Sequence, residues 1–159
     1  MQCGTPNTVG MSQQYFKLQP SYFQDSSDWN FSKYQATAVV INLGINDSAY
    51  HVDDARFQST YINFLHAIRA KYPHALIFVI EPFNGSESAE IQAIVQAVNA
   101  AGDPHIHYID TTGWLQINSA DYSINKRRPS ENNVHPSDSG QMKIATHLEP
   151  ILASALGIV

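Results

Sequence analysis

The chain has 159 residues, 43% hydrophobic and only 14% charged, with a formal net charge of −5 and a pI near 5.7. This is the composition of one globular domain with a single buried core, not of a disordered chain. The acidic balance disfavours nucleic acid and anionic membrane as partners, and no run reaches the ~18 apolar residues of a membrane span.

Cys3 is the only cysteine, which excludes an internal disulfide and leaves the compartment unread. The N-terminus has no signal-peptide pattern, so the chain is expected to be soluble and either cytoplasmic, or secreted if a leader was removed. The basic run Lys126-Arg127-Arg128 reads as a solvated loop.

Residues 1–36 are polar, aromatic and irregular, punctuated by Gly4, Pro6, Gly10 and Pro20. An apolar, β-branched strand is predicted at about 37–43. It stops abruptly at Gly44-Ile45-Asn46-Asp47, where the backbone must turn and two short polar side chains appear. Asp53 or Asp54 opens a helix to about Tyr72, with Phe57, Tyr61, Phe64, Leu65 and Ile68 at helical spacing. Pro73 ends it. Residues 75–80 form a second buried strand, closed by Glu81-Pro82. Ser86 is the expected N-cap of a helix that carries Ile91, Ile94, Val95 and Val98 and ends at Gly102. A third strand spans 106–110, followed by a long loop over 111–136. The last helix begins near Ser137 or Asp138, and Pro150 within it predicts a kink or a break.

Strands alternating with helices imply a parallel sheet with right-handed crossovers. In such sheets ligands bind at the carboxyl ends of the strands. Asn46 and Asp47 follow the first strand at that end. His135-Pro136 lies in the loop after the third strand, just before a capped helix. A histidine there can act as a general base near neutral pH, or be a half-exposed loop residue with no task.

Taken together, Gly44-Ile45-Asn46-Asp47 and His135-Pro136 resemble the third and fifth blocks of the SGNH or GDSL hydrolase superfamily. Trp29-Asn30-Phe31-Ser32-Lys33-Tyr34, the run Ala38 to Gly44, Phe64-Leu65, Ile68-Arg69 and Tyr72-Pro73 are similar to its acetyl-esterase branch, carbohydrate esterase family two. The resemblance covers most of residues 29–148. It implies a three-layer α/β/α, flavodoxin-like fold, with residues 1–159 as a single, partial domain. It also implies hydrolysis of acetyl or other short acyl esters of carbohydrates or small molecules, with no cofactor and no metal.

The same resemblance assigns roles residue by residue. Asn46 donates to the oxyanion, and Gly44 permits the turn that aims it. Asp47 holds the loop by bonding backbone amides. His135 is the base that activates a serine, and Gly4 supplies a second oxyanion donor through its backbone amide.

Three departures stand out. Asn132 occupies the position of the acid three residues before the histidine. Members of the branch can lack that acid and use a Ser-His dyad with a backbone carbonyl behind the imidazole. Gly-Asp-Ser, the block with the nucleophile, occurs nowhere in the chain. The family sheet has the strand order 2-1-3-4-5, and this chain is expected to retain only the last three strands. Third, no other serine stands in a recognisable nucleophile setting; Ser48 and Ser12 are the candidates. A missing first strand leaves the edge near 37–43 unpaired, which predicts a homo-oligomer joined there.

Two other readings compete. The chain could be a non-catalytic relic or fragment that binds a sugar, an acyl ligand or a partner chain. His105 and His107 with Asp110 superficially resemble metal spacing, although on a strand Asp110 falls on the opposite face. Trp29, Trp114, Tyr122 and Phe83 could line a sugar or acyl pocket, or simply pack in the core and loops.

Overall fold

A computed structural model describes residues 10–19, 26–124 and 133–158. Gly4, Cys3, the 126–128 basic run and Asn132 lie outside the described residues.

Three parallel strands form one sheet in the order β1-β2-β3, with β1 at Ala38–Ile41, β2 at Leu76–Ile80 and β3 at Ile106–Ile109. The register sets Val39 opposite Ile77 and Val79 opposite Tyr108. Strand alternation then sends two apolar sets to opposite faces. On one face Ile41, Ile77, Val79 and Ile106 pack against α3 (Asp54–Lys71) and α4 (Ser88–Ala100). On the other, Phe78, Ile80 and Ile109 pack against Leu148 and Leu152 of α5 (Asp138–Leu156). These are the three α/β/α layers expected from the sequence.

The helical stripe of α3 is buried as read: Phe57, Tyr61, Phe64, Leu65 and Ile68 are each at most 3% exposed. Asp53 caps it by accepting from the Arg56 N–H at 3.1 Å. Arg69, near its end, ties the entry side of the sheet together. Its guanidinium makes two bonds to the Asp103 carboxylate, at 2.7 and 3.2 Å, and donates to the carbonyls of Tyr72 and Ala75 at 3.1 and 2.7 Å.

Before β1, α1 (Met11–Gln14) and a 3-10 turn at Phe31–Lys33 precede the sheet. Tyr15, Phe16 and Phe31 pack with Phe64 and Tyr72 as an aromatic cluster on α3. The irregular reading of this segment is therefore only partly right, because ring packing orders what periodicity does not show.

Two local expectations are corrected and one is sharpened. At Gly44-Ile45-Asn46-Asp47 the turn is followed at once by a short helix, α2, over Ile45–Ala49. Gly44 makes the reversal alone, at φ +128°, a conformation that costs L side chains dearly. Helix α4 starts two residues after Ser86, since Glu87 stands at the N-cap position in a left-handed conformation with no side-chain cap. Of the kink or break expected at Pro150, the break does not occur: α5 is one helix through it. Leu148 and Leu152, on either side of the proline, pack against the same sheet face and hold both halves to it.

Among the described residues no helix is long and apolar enough to cross a membrane.

Candidate active site

The carboxyl ends of β1 and β2 and the segment before α5 enclose a cavity of about 310 Å³. Leu43, Ile45, Pro82, Phe83, Val134 and Pro136 give it an apolar wall. Asn42, His135 and Gln141 are its polar side chains. His135 is thus brought beside both residues that flank Gly44, across some ninety positions of sequence. A pocket of this size accommodates a small molecule.

Gly44 has no room for a larger residue: a Cβ would stand 3.4 Å from both Ile91 Cδ1 and Phe57 Cζ. The turn is thereby seated on α3 and α4. Asn46 is exposed in the first turn of α2, next to Ile45 but not itself a lining residue. Asp47, one residue on, is 3% exposed. The Ser48 hydroxyl bonds the Glu87 carboxylate, which joins α2 to the start of α4. Burial pushes the Glu87 carboxyl up; the Ser48 bond opposes this, and the charges of Glu90 and Asp54 add to it. Neither Ser48 nor Ser12 lines the cavity.

His135 is held from behind by its backbone. Its carbonyl accepts from the Ser123 N–H at 2.8 Å, Tyr122 and Pro136 form an antiparallel bridge, and the Ser137 N–H donates to the Asp121 carbonyl at 2.9 Å. Asn133 locks the same loop: its Oδ1 accepts from the Asn118 N–H at 2.7 Å and its Nδ2 donates to Asn118 Oδ1 at 2.8 Å. Both residues sit at φ near +60°, where asparagine is tolerated better than most side chains. Asp121, 3% exposed, anchors the loop. It accepts from the Lys143 ammonium at 2.6 Å and from the Gln116 N–H at 3.0 Å, and these hold its carboxyl below the usual carboxylate range.

Sequence reasoning missed Asn42, Asp121 and the Asn118–Asn133 pair. A polar residue closing an apolar strand was the available signal for Asn42; nothing in the sequence pattern pairs Asn118 with Asn133.

Of the four aromatic candidates, only Phe83 lines the cavity. Trp114 stacks with both Phe83 and His147, with ring centroids 6.4 and 5.0 Å apart. Tyr122 is buried and donates its hydroxyl to the Phe83 carbonyl at 2.9 Å. Trp29 is 37% exposed, in the segment before β1. His107 stacks on Phe78, its register partner, and Tyr108 turns to the other face to donate to Glu81 at 2.5 Å. Burial, then that bond, pushes the Tyr108 hydroxyl up to about 12. No group of three metal-ligating side chains occurs among the described residues.

A second cavity, about 240 Å³, runs along the outer edge of β1. Met11, Tyr15, Val39, Val40, Ile41, Phe64 and Ile68 line it, together with Asn42 and Leu43. Those last two residues also line the His135 cavity, so one wall serves both. Among the described residues β1 pairs only with β2, and Val40 in its middle is 43% exposed.

The chain is 33% identical over 89 residues to the cellulase/esterase CelE of Acetivibrio thermocellus, a match covering 52% of this chain and 11% of that protein. Its structure superposes on a family two carbohydrate esterase from Clostridium thermocellum, solved in complex with cellohexaose, with a TM-score of 0.82 and 26% identity. The superposition covers all of this chain and 47% of the other, so the chain spans about half the length of that relative. A family two carbohydrate esterase from Cellvibrio japonicus shares the fold, with a TM-score of 0.73, 18% identity, and coverage of 98% of this chain and 43% of that one. The GDSL-like lipase/acylhydrolase family model matches residues 9–143, and the chain belongs to that family.

Proposed function

We propose that this chain carries the base and oxyanion half of an ester-hydrolase site acting on acetyl or other short acyl esters of carbohydrate. The observation that carries the reading is the shared cavity of His135 with Leu43 and Ile45, the two neighbours of Gly44. In this reading a serine hydroxyl attacks the ester carbonyl and passes its proton to His135. Asn46 and backbone amides receive the negative charge that develops on the carbonyl oxygen, an interaction worth about 3 kcal/mol of barrier per donor. His135 then returns the proton to the departing alcohol, and water repeats the sequence to free the acid. Asp47 holds the α2 segment in place. The His135 carbonyl is occupied by Ser123, so the imidazole is carried on a fixed backbone. The apolar wall suits an acyl chain, and the carbohydrate character of the alcohol rests on the esterase relatives.

The serine, in this reading, arrives on a segment paired along the open edge of β1. A strand laid in the edge cavity would end at Asn42 and Leu43, beside His135. A second copy of the chain is the proposed donor, through self-association at that edge.

The test is fluorophosphonate labelling of the protein, with the modified serine mapped by mass spectrometry, alongside hydrolysis of a small acetyl ester. His135→Ala is expected to slow both by at least ~100-fold. Unchanged rates in that variant would remove His135 from the site. A strictly monomeric protein by light scattering at micromolar concentration would overturn self-association.

A further inference from the structure

We propose that Asn42 is a specificity-determining residue that accepts a hydrogen bond from a hydroxyl on the alcohol side of the substrate. The inference rests on the esterase reading for the position of that alcohol, and on the structure for the acceptor.

Asn42 follows β1 directly, and its amide is anchored. Nδ2 donates to the carbonyl of Ile80 at 3.2 Å and to that of Glu81 at 3.0 Å. Both partners are backbone acceptors, so the amide cannot be turned over without setting oxygen against oxygen. The anchor is itself fixed to all three strands. The Glu81 N–H donates to the Ile109 carbonyl at 3.1 Å, and the Glu81 carbonyl also accepts from the buried Thr111 hydroxyl at 3.3 Å.

Oδ1 is left as the remaining polar atom of the side chain. Among the described residues no donor reaches it. The residue is exposed and lines the His135 cavity together with apolar residues that include Phe83. It can accept but has no hydrogen left to donate, so its match is a group that brings its own hydrogen, as a hydroxyl does. Because the amide is already immobile, binding loses little side-chain entropy there. Phe83 adds apolar surface to the same cavity, and an acceptor beside apolar surface is the combination that suits a polyhydroxylated six-membered ring.

The proposal is tested on the whole chain by two-dimensional NMR titration with two probes. Methyl β-D-glucopyranoside carries hydroxyl donors; 2-methoxytetrahydropyran has the same ring and none. The glucoside is expected to perturb the Asn42 side-chain amide, Phe83 and His135, and to bind about tenfold more tightly than the hydroxyl-free ring. Asn42→Ala is expected to remove that preference. Because the two-probe comparison on the unaltered protein needs no variant, a fold defect in Asn42→Ala does not blunt the test. Equal affinity for the probes, an unchanged preference in the variant, or no perturbation at these residues up to the solubility limit would each overturn it. Glucoside binding in a protein whose ester hydrolysis ignores His135 would leave this inference standing and sink the esterase reading. Hydrolysis that requires His135 without glucoside preference would do the reverse.

Discussion

The N–H of Ser123 donates to the carbonyl of His135 at 2.8 Å, and two residues before Ser123 the buried Asp121 is paired with Lys143 of α5. The imidazole thus depends on a carboxylate that never faces the cavity. Asp121 has its carboxyl held low, so its contribution is present above the unfolded carboxylate range and is lost as pH falls through the lower folded value. Replacing Asp121 with Ala should leave the sheet folded and free the loop. Hydrogen exchange at Ser123 is expected to accelerate by at least ~10-fold at pH 7. In the unaltered protein the same acceleration should appear only on acidification below the usual carboxylate range. Exchange at Ser123 that ignores both the substitution and acid would show that Asp121 does not secure the loop.

Gly140 predicts an inverted sign. Inside a helix, Gly→Ala ordinarily stabilises by about 1 kcal/mol. Here a Cβ would lie 2.1 Å from the Asp121 carbonyl oxygen and 3.3 Å from Pro136 Cβ, against backbone that cannot swing away. Gly140→Ala should instead destabilise by about 3 kcal/mol in urea unfolding. In the same 19-residue helix the reverse change, Ala153→Gly, should show the ordinary sign and cost about 1 kcal/mol.

Glu87 gives the opposite pH sign to Asp121. Its carboxyl is pushed up by burial, against the Ser48 bond and with the repulsion of Glu90 and Asp54. The folded state therefore holds the proton more readily than the unfolded one. Relative stability is full at low pH and declines as pH rises through the folded value. Glu87→Gln, which keeps an acceptor for Ser48, should stabilise the protein at pH 7 by about 0.5 kcal/mol after solvent screening, and by less at pH 4. Thermal unfolding at the two pH values reads the difference; an equal effect at both would remove the charge from the argument.

At the far end of the sheet, Arg69 joins α3, the entry to β2 and the turn before β3 through one planar group. A lysine can keep the charge but not the two-pronged bond to Asp103 together with the carbonyls of Tyr72 and Ala75. Arg69→Lys should cost about 2 kcal/mol, measured by chemical denaturation, with the His135 cavity unaffected in probe binding.

Much of the fold was legible in local pattern. The 3.6-residue spacing of Phe57, Tyr61, Phe64, Leu65 and Ile68 set one face of α3, and caps at Asp53 and Ser137 marked where helices begin. Both signals are carried by neighbours in the chain, so sequence alone contains them. Where local rules failed, tertiary contact had overridden them. Pro150 does not break α5, because Leu148 and Leu152 hold to the sheet on both sides of it, and Ser86 yields the start of α4 to a left-handed Glu87 seated against Gly44.

The site divides in the same way. Sequence by itself determined the family resemblance, the Gly-Ile-Asn-Asp and His-Pro segments, and the lack of Gly-Asp-Ser, since each is a matter of residue order. Only the tertiary structure decided that His135 meets Leu43 and Ile45, that Asn42 turns its amide onto β2, and that Asp121 and Asn118 carry the loop from behind. The first two relations join residues far apart in the chain, 38 positions for Asn42 and Ile80, and even the Asn118–Asn133 pair spans 15. Packing of α5 on β2 and β3 brings them into contact, and no short-range pattern encodes that step.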